Sequence, residues 1–276
     1  MRYCNSVGHL GHFVRKPKKE GMEMNPITYY LRSLNKKSHG YRPTWLPSVP
    51  IQLGDVGILE DDVFQKESSL ESLGIDFETA TSENDSTVDL SSESGITLTT
   101  KLEGKVEPKA TSLGVADAGF IVEFGNQNGY VFKLKGSKTR IISNLGAVKA
   151  EILSRYNQGN WDPKLVVINE ILEAKSATIL LSGHAGNKVE LKAQCDASVA
   201  SMDIADAALN LKLESGQTLA AQIIGQQGVK PLYRVIGLKK RLFSTSFGSK
   251  GEAAAPQEPE EEMEVAEIEM ESLPAE

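Results

Sequence analysis

Ala177-Thr178-Ile179-Leu180-Leu181-Ser182-Gly183-His184-Ala185-Gly186-Asn187-Lys188-Val189-Glu190-Leu191-Lys192-Ala193-Gln194-Cys195 is the stretch on which the reading of this chain turns. Val189, Leu191, Ala193 and Cys195 alternate with Lys188, Glu190, Lys192 and Gln194. That period of two places apolar side chains on one face of a strand and polar ones on the other. Ala177, Ile179 and Leu181 lead into Gly183-His184-Ala185-Gly186-Asn187, whose glycines and asparagine favour a turn. The spacing predicts an antiparallel hairpin, the clearest in the sequence.

The same period extends outward. It runs through Ile96, Leu98, Thr100 and Leu102, then Phe120, Val122 and Phe124, then Tyr130, Phe132 and Leu134. Asn126-Gln127-Asn128-Gly129 predicts a second hairpin between the last two. Leu165-Val166-Val167-Ile168 begins a strand towards Leu172, and Leu209, Leu211 and Leu213 give another. Leu219 to Ile224 fits a strand or a helix, and Leu232 to Phe243 closes the body with a basic, apolar segment. Ile51 to Leu59 and Asp62 to Phe64 read as short strands around a turn, whereas Thr79 to Ser94 is polar enough to predict a loop.

Two helices stand apart from this pattern. Asn25-Pro26 supplies an N-cap and a first-turn proline before Ile27, Tyr30, Leu31 and Leu34. Asn144 precedes Leu145, Val148, Ile152 and Tyr156, and Gly159 ends that run. Tyr41 to Pro50 is extended, because residues before proline avoid the helix. The fold class is α+β: a twisted antiparallel sheet with a few flanking helices and a C-terminal tail. Residues 1–24 form a basic arm, 25–250 the α+β body and 251–276 an acidic tail.

The tail carries ten glutamates and no basic residue. Removing them from the formal net charge of −7 leaves a body of net positive charge. Within the tail Met263, Ala266, Met270 and Leu273 follow an a/d-like helical spacing. This seam predicts docking on the basic, apolar segment that contains Lys239, Lys240 and Arg241, which would contact either the tail or a membrane. Residues 248–259, with Gly248, Gly251, Pro256 and Pro259, form the connection where a protease cuts most easily.

Catalytic patterns do not stand out. No Gly-x-Ser-x-Gly, His-Glu-x-x-His or phosphate-cradling loop is present. An enzyme of an unrecognised type would draw on His184, Asp203, Asp206 or Tyr233; the reading preferred is a non-enzyme. Cys4, His9 and His12 are metal-ligand types, but zinc takes four ligands and no further Cys or His lies close by. Neither a metal nor a cofactor is expected. Cys4 and Cys195 give no disulfide framework, and no apolar run nears the roughly 18–20 residues of a membrane-spanning helix. The default setting is soluble, reducing and cytoplasmic. The arm's Arg15 to Lys19 cluster lacks the interleaved aromatics of a single-strand binder, so anionic lipid ranks above nucleic acid as a partner.

Over residues 25–276 the chain resembles the compact bacterial gasdermins. The likeness rests on the short helix Ile27 to Leu34 and on Leu165-Val166-Val167-Ile168-Asn169-Glu170-Ile171-Leu172 after a helix, which resembles their Val-Val-x-Glu strand. The long hairpin Thr178 to Cys195 and the detachable C-terminal segment agree as well. Cys4 corresponds in kind to the N-terminal cysteine that those proteins acylate, although it lies well before the first helix. The Pro43-Thr44-Trp45-Leu46-Pro47 segment and the acidic 55–94 region have no counterpart. The resemblance implies a pore former held inactive by its tail, cytoplasmic until an activating protease removes it. It would then form a homo-oligomer on anionic lipid of the inner membrane and kill its own cell in antiphage defence. Strands such as Gly95 to Lys105 and Phe120 to Leu134 would extend into β-hairpins, and ring closure would satisfy their edges. The alternative is a soluble α+β binding or structural module whose acidic tail contacts a partner protein.

Overall fold

The computed structural model describes residues 25–45, 49–101, 118–194, 203–216, 219–241 and 262–270. Helix α1 spans Pro26–Lys37, and the Asn25 side chain accepts the Ile27 N–H at 2.9 Å to start it. Strand β1 is the pair Arg42–Pro43. Strands β2 (Asp55–Glu60) and β3 (Val63–Ser69) form a hairpin, Glu60 opposite Val63. Its two-residue turn, Asp61-Asp62, has φ of 48° and 66°. Positive φ at both central residues matches the strand twist, and aspartate tolerates it.

Within the polar stretch predicted as a loop, Thr79 to Ser94, two short strands form, β4 (Thr79–Thr81) and β5 (Ser86–Asp89), and the residues between and after them lie outside the strands. Strand β6 (Ile96–Lys101) follows, then β7 (Gly119–Phe124) and the long β8 (Tyr130–Ile142). Both β4 and β5 pair with β8. Ion pairs complement the backbone ladder: Asp85 meets Lys138 and Lys175, and Asp89 meets Lys133 at 2.8 Å. The Lys175 ammonium donates to Asp85 and holds its carboxyl below the usual carboxylate range. Polarity here marks a charged sheet edge.

Helix α2 (Leu145–Asn157) leads into β9 (Val166–Ser182), the axis of the molecule. Strand β10 is Asn187–Lys192, a short 3₁₀ turn covers Ala207–Leu209, and β11 is Lys212–Gly216. Residues Leu219–Arg241 make one long strand, β12, and the tail contributes β13 (Glu262–Glu267).

These strands form two sheets. The nine-stranded sheet runs β1-β12-β9-β2-β3, with β8 also on β9, β4 and β5 on β8, and β13 on β12. The smaller runs β11-β10-β7-β6. Strands β9 and β10 therefore lie in different sheets, and so do β7 and β8. Neither predicted turn closes a hairpin. Gly183–Asn187 and Asn126–Gly129 instead carry the chain from one sheet to the other. The cause is two-sided burial: β9 is buried at every position from Ser176 to Ser182. Ile179 and Leu181 face Tyr30, Leu31 and Leu34 of α1, while Leu180, with Val131 of β8, packs on the small sheet. A third core places Val148 and Ile152 of α2 with Val167, Ile171 and Val235.

Candidate functional site

Strand β12 offers two edges. One pairs with β9 from Leu219 to Gly237. On the other, β1 covers Leu232 and Tyr233, while β13 runs antiparallel along Ile236 to Arg241. The register sets Glu267 opposite Ile236, Ala266 opposite Gly237, Val265 opposite Leu238, Glu264 opposite Lys239, Met263 opposite Lys240 and Glu262 opposite Arg241. The acidic tail thus completes the sheet beside the Lys239-Lys240-Arg241 run.

The tail docks as a strand, which corrects the helical seam read from Met263, Ala266 and Met270. An unpaired edge offers hydrogen bonds to an extended chain, and Glu262, Met263, Glu264 and Val265 alternate as a strand requires. A helix would stack like-charged glutamates at i, i+4, which is unfavourable. Met263, Val265 and Ile268 lie partly buried against the α2 core, and Met270 is buried. Lys149, Ala150 and Leu153 of α2 line a shallow groove with Glu262–Val265. Leu273 and Cys4, like Cys195, Leu242 and Phe243, lie outside the described residues.

Gly237 lets the tail approach closely. A β-carbon there would lie 3.1 Å from both Ile268 and Val166 side chains, and its strand neighbour on the tail is the small Ala266. The tail's hold is modest. Ordering each residue costs roughly 1–2 kcal/mol, and full burial of a side chain of this size returns roughly 1.5–3 kcal/mol. No apolar side chain of the six paired residues is fully buried, and the buried Met270 lies beyond them, so the tail strand is weakly held.

Charge secures the far end. Arg234 of β12 lies 3.3 Å from the Glu267 carboxylate, donates to the His39 carbonyl at 2.8 Å and stacks 4.4 Å over the Tyr41 ring. Tyr41 donates in turn to Glu170; burial first, then that bond, raises its pKa. Arg42, only 2% exposed, donates to the Ile268 carbonyl at 3.1 Å and pairs with Asp62 at 3.4 Å. The Ile268 N–H donates to the Val235 carbonyl at 3.1 Å. Arg42, Arg234, Glu267 and Gly237 were not singled out in the sequence. The one available signal was the alternation through Glu262 to Val265.

The residues considered for catalysis have structural partners. The Asp203 and Asp206 carboxylates accept the Ala205 and Ala208 N–H groups, both at 2.9 Å. Asp206 also pairs with Lys135, whose ammonium holds its carboxyl below the usual range. Tyr233 is buried against Phe64, and His184 sits in the crossing turn between β9 and β10. Among the described residues no helix is long and apolar enough to cross a membrane, and no group of three or more His, Cys, Asp or Glu could hold a metal ion. No protein-family model matches the chain, and no curated protein does.

Proposed function

We propose that this chain is a gasdermin-like pore-forming protein, non-enzymatic and held latent by the tail strand on β12. The observation that carries the reading is the small sheet. Its neighbours β11-β10, β10-β7 and β7-β6 are all antiparallel, so the outer strands β6 and β11 run in opposite directions. Copies related by rotation about an axis along these strands would meet β11 against β6 antiparallel. Four strands per copy would then continue around a closed ring, and closure removes every edge.

The side chains support that wall. Leu98, Val122 and Val189 align across three strands, and Phe120 aligns with Leu191 and Leu213. The opposite face carries Thr97, Glu123 and Lys188, with Glu123 and Lys188 3.4 Å apart. A barrel in lipid needs one apolar and one polar face per strand. Strands β6, β7 and β10 have six residues each, short of the roughly 9–11 that cross a bilayer. Residues 96–124 and 187–216 are long enough for two such strands apiece.

Activation is cleavage between Arg241 and Glu262, followed by loss of β13 and assembly on anionic lipid of the inner membrane, in a cell-death response such as antiphage defence. The test introduces a specific protease site between those residues. Dye-loaded anionic liposomes should leak after cleavage and stay tight with the uncleaved chain. Vesicles that stay tight although the tail has dissociated would overturn the reading.

A further inference from the structure

The tail's last paired residues are held by groups that reach well beyond β12. Asp62, in the β2–β3 turn, pairs with Arg42 and also with Arg32 of α1, 3.5 Å away. Arg42 spans from that carboxylate to the tail carbonyl of Ile268. Arg234 spans from Glu267 to the His39 carbonyl just after α1 and rests on Tyr41. Two guanidinium groups thus clamp one point of the tail, Glu267–Ile268, and each is tied to the segment joining α1 to β1.

We propose that Arg42 and Arg234 form a clasp that couples docking of the tail strand to the seating of α1 and the His39–Arg42 segment. A strand held only by alternation can slip by two residues without changing face, because the side-chain period is two. In the observed register Glu267 meets Arg234 and the Ile268 carbonyl meets Arg42. A two-residue slip one way would set Val265 where Glu267 faces Arg234 and lose that ion pair, whereas Arg42, which meets a backbone carbonyl, keeps Asp62 and finds an equivalent carbonyl. The clasp therefore opposes a slip in that direction. It also makes the coupling reciprocal: displacing α1 withdraws His39 and Tyr41 from Arg234 and loosens the tail, and lifting the tail frees both arginines and loosens the α1–β1 segment. An event at the N-terminal helix would prime the tail for release before any cut.

This inference deepens the latch reading and takes its significance from it, but its test needs no membrane. Amide hydrogen exchange of the full chain in solution is compared for the unmodified protein, Asp62→Asn and Glu267→Gln. Asparagine suits the positive φ at position 62 and removes the counter-charge of Arg42. Asp62→Asn should speed exchange in Glu262–Ile268 about fivefold or more, and Glu267→Gln should do the same in His39–Arg42. Strands β7 and β10 should keep their protection. Unchanged exchange in the remote segment, or equal acceleration throughout the molecule, overturns the clasp. Glu267 is exposed, so Glu267→Gln decides the matter alone should Asp62→Asn fail to fold. A clasp that fails this test leaves the liposome result untouched, and the reverse holds too.

Discussion

The large sheet and the small one are built from the same alternating residues and differ in what closes them. In the large sheet the β9–β12 ladder is interrupted by four register shifts. Its outer β12 edge is covered by β1 at Leu232 and Tyr233 and by the tail from Ile236 to Arg241, and β9 is buried on both faces from Ser176 to Ser182. The small sheet has a single shift, between β10 and β11, and keeps one face polar. Its outer strands β6 and β11 each pair on one side among the described residues. Irregularity and capping fix a sheet in place, whereas regularity and open edges leave it free to be extended by another copy. Under the proposed function, that difference would give anchorage to one sheet and assembly to the other.

The sharpest way to break this division is to attack the contact between the sheets. Leu180 is fully buried and packs on the small sheet. Leu180→Ala should cost about 2–5 kcal/mol, read from the midpoint of chemical denaturation. Alkaline pH should come next, through the large sheet. Burial pushes the Tyr130 and Tyr233 hydroxyls up to about 12. Both groups hold their protons more tightly when folded, so their contribution is complete below pH 10 and is lost as pH rises from about 10 to about 12. Denaturation midpoints measured across that window should fall steadily. A flat profile would show that neither phenol limits the large sheet.

A smaller and more local effect is expected at the tail. Gly237→Val should crowd Ile268 and cost about 1–3 kcal/mol at that contact. Limited proteolysis should then remove the tail faster while the rest of the chain stays resistant. The least effect belongs to the small sheet's polar face. Lys188 and Glu123 are both about half exposed, so Lys188→Ala should change stability by only about 0–1 kcal/mol. A larger loss would mean that this face is covered in solution.

Much of the fold was legible because local signals were strong. The Asn25-Pro26 start and the Val148/Ile152 stripe specified the two helices, and alternation specified most strands. Sheet membership was hidden. Gly183–Asn187 and Asn126–Gly129 have good turn chemistry, yet a turn between strands and a crossing between layers require the same residues. The clue lay in Ile179-Leu180-Leu181, a run without alternation, as expected of a strand covered on both faces. Thr79–Asp89 was misread because charges that pair on an edge look like charges in water. The tail's docking was partly legible, since Met263 and Met270 both lie against the body, but their spacing of seven fits a helix and not the strand that forms. Its clasp was not: Arg42 and Ile268 are brought together by the tertiary fold alone.

Two hydroxyls behind the small sheet have a consequence of their own. Ser176 and Thr178 of β9, both buried, donate at 2.6 Å to the Ala205 and Ile204 carbonyls in the connection from β10 to β11. Each sheet's ladder runs within itself, so these contacts button that connection to its backing. Undoing the two buttons would loosen that connection from β9 while every rung of the β11-β10-β7-β6 ladder stays in place.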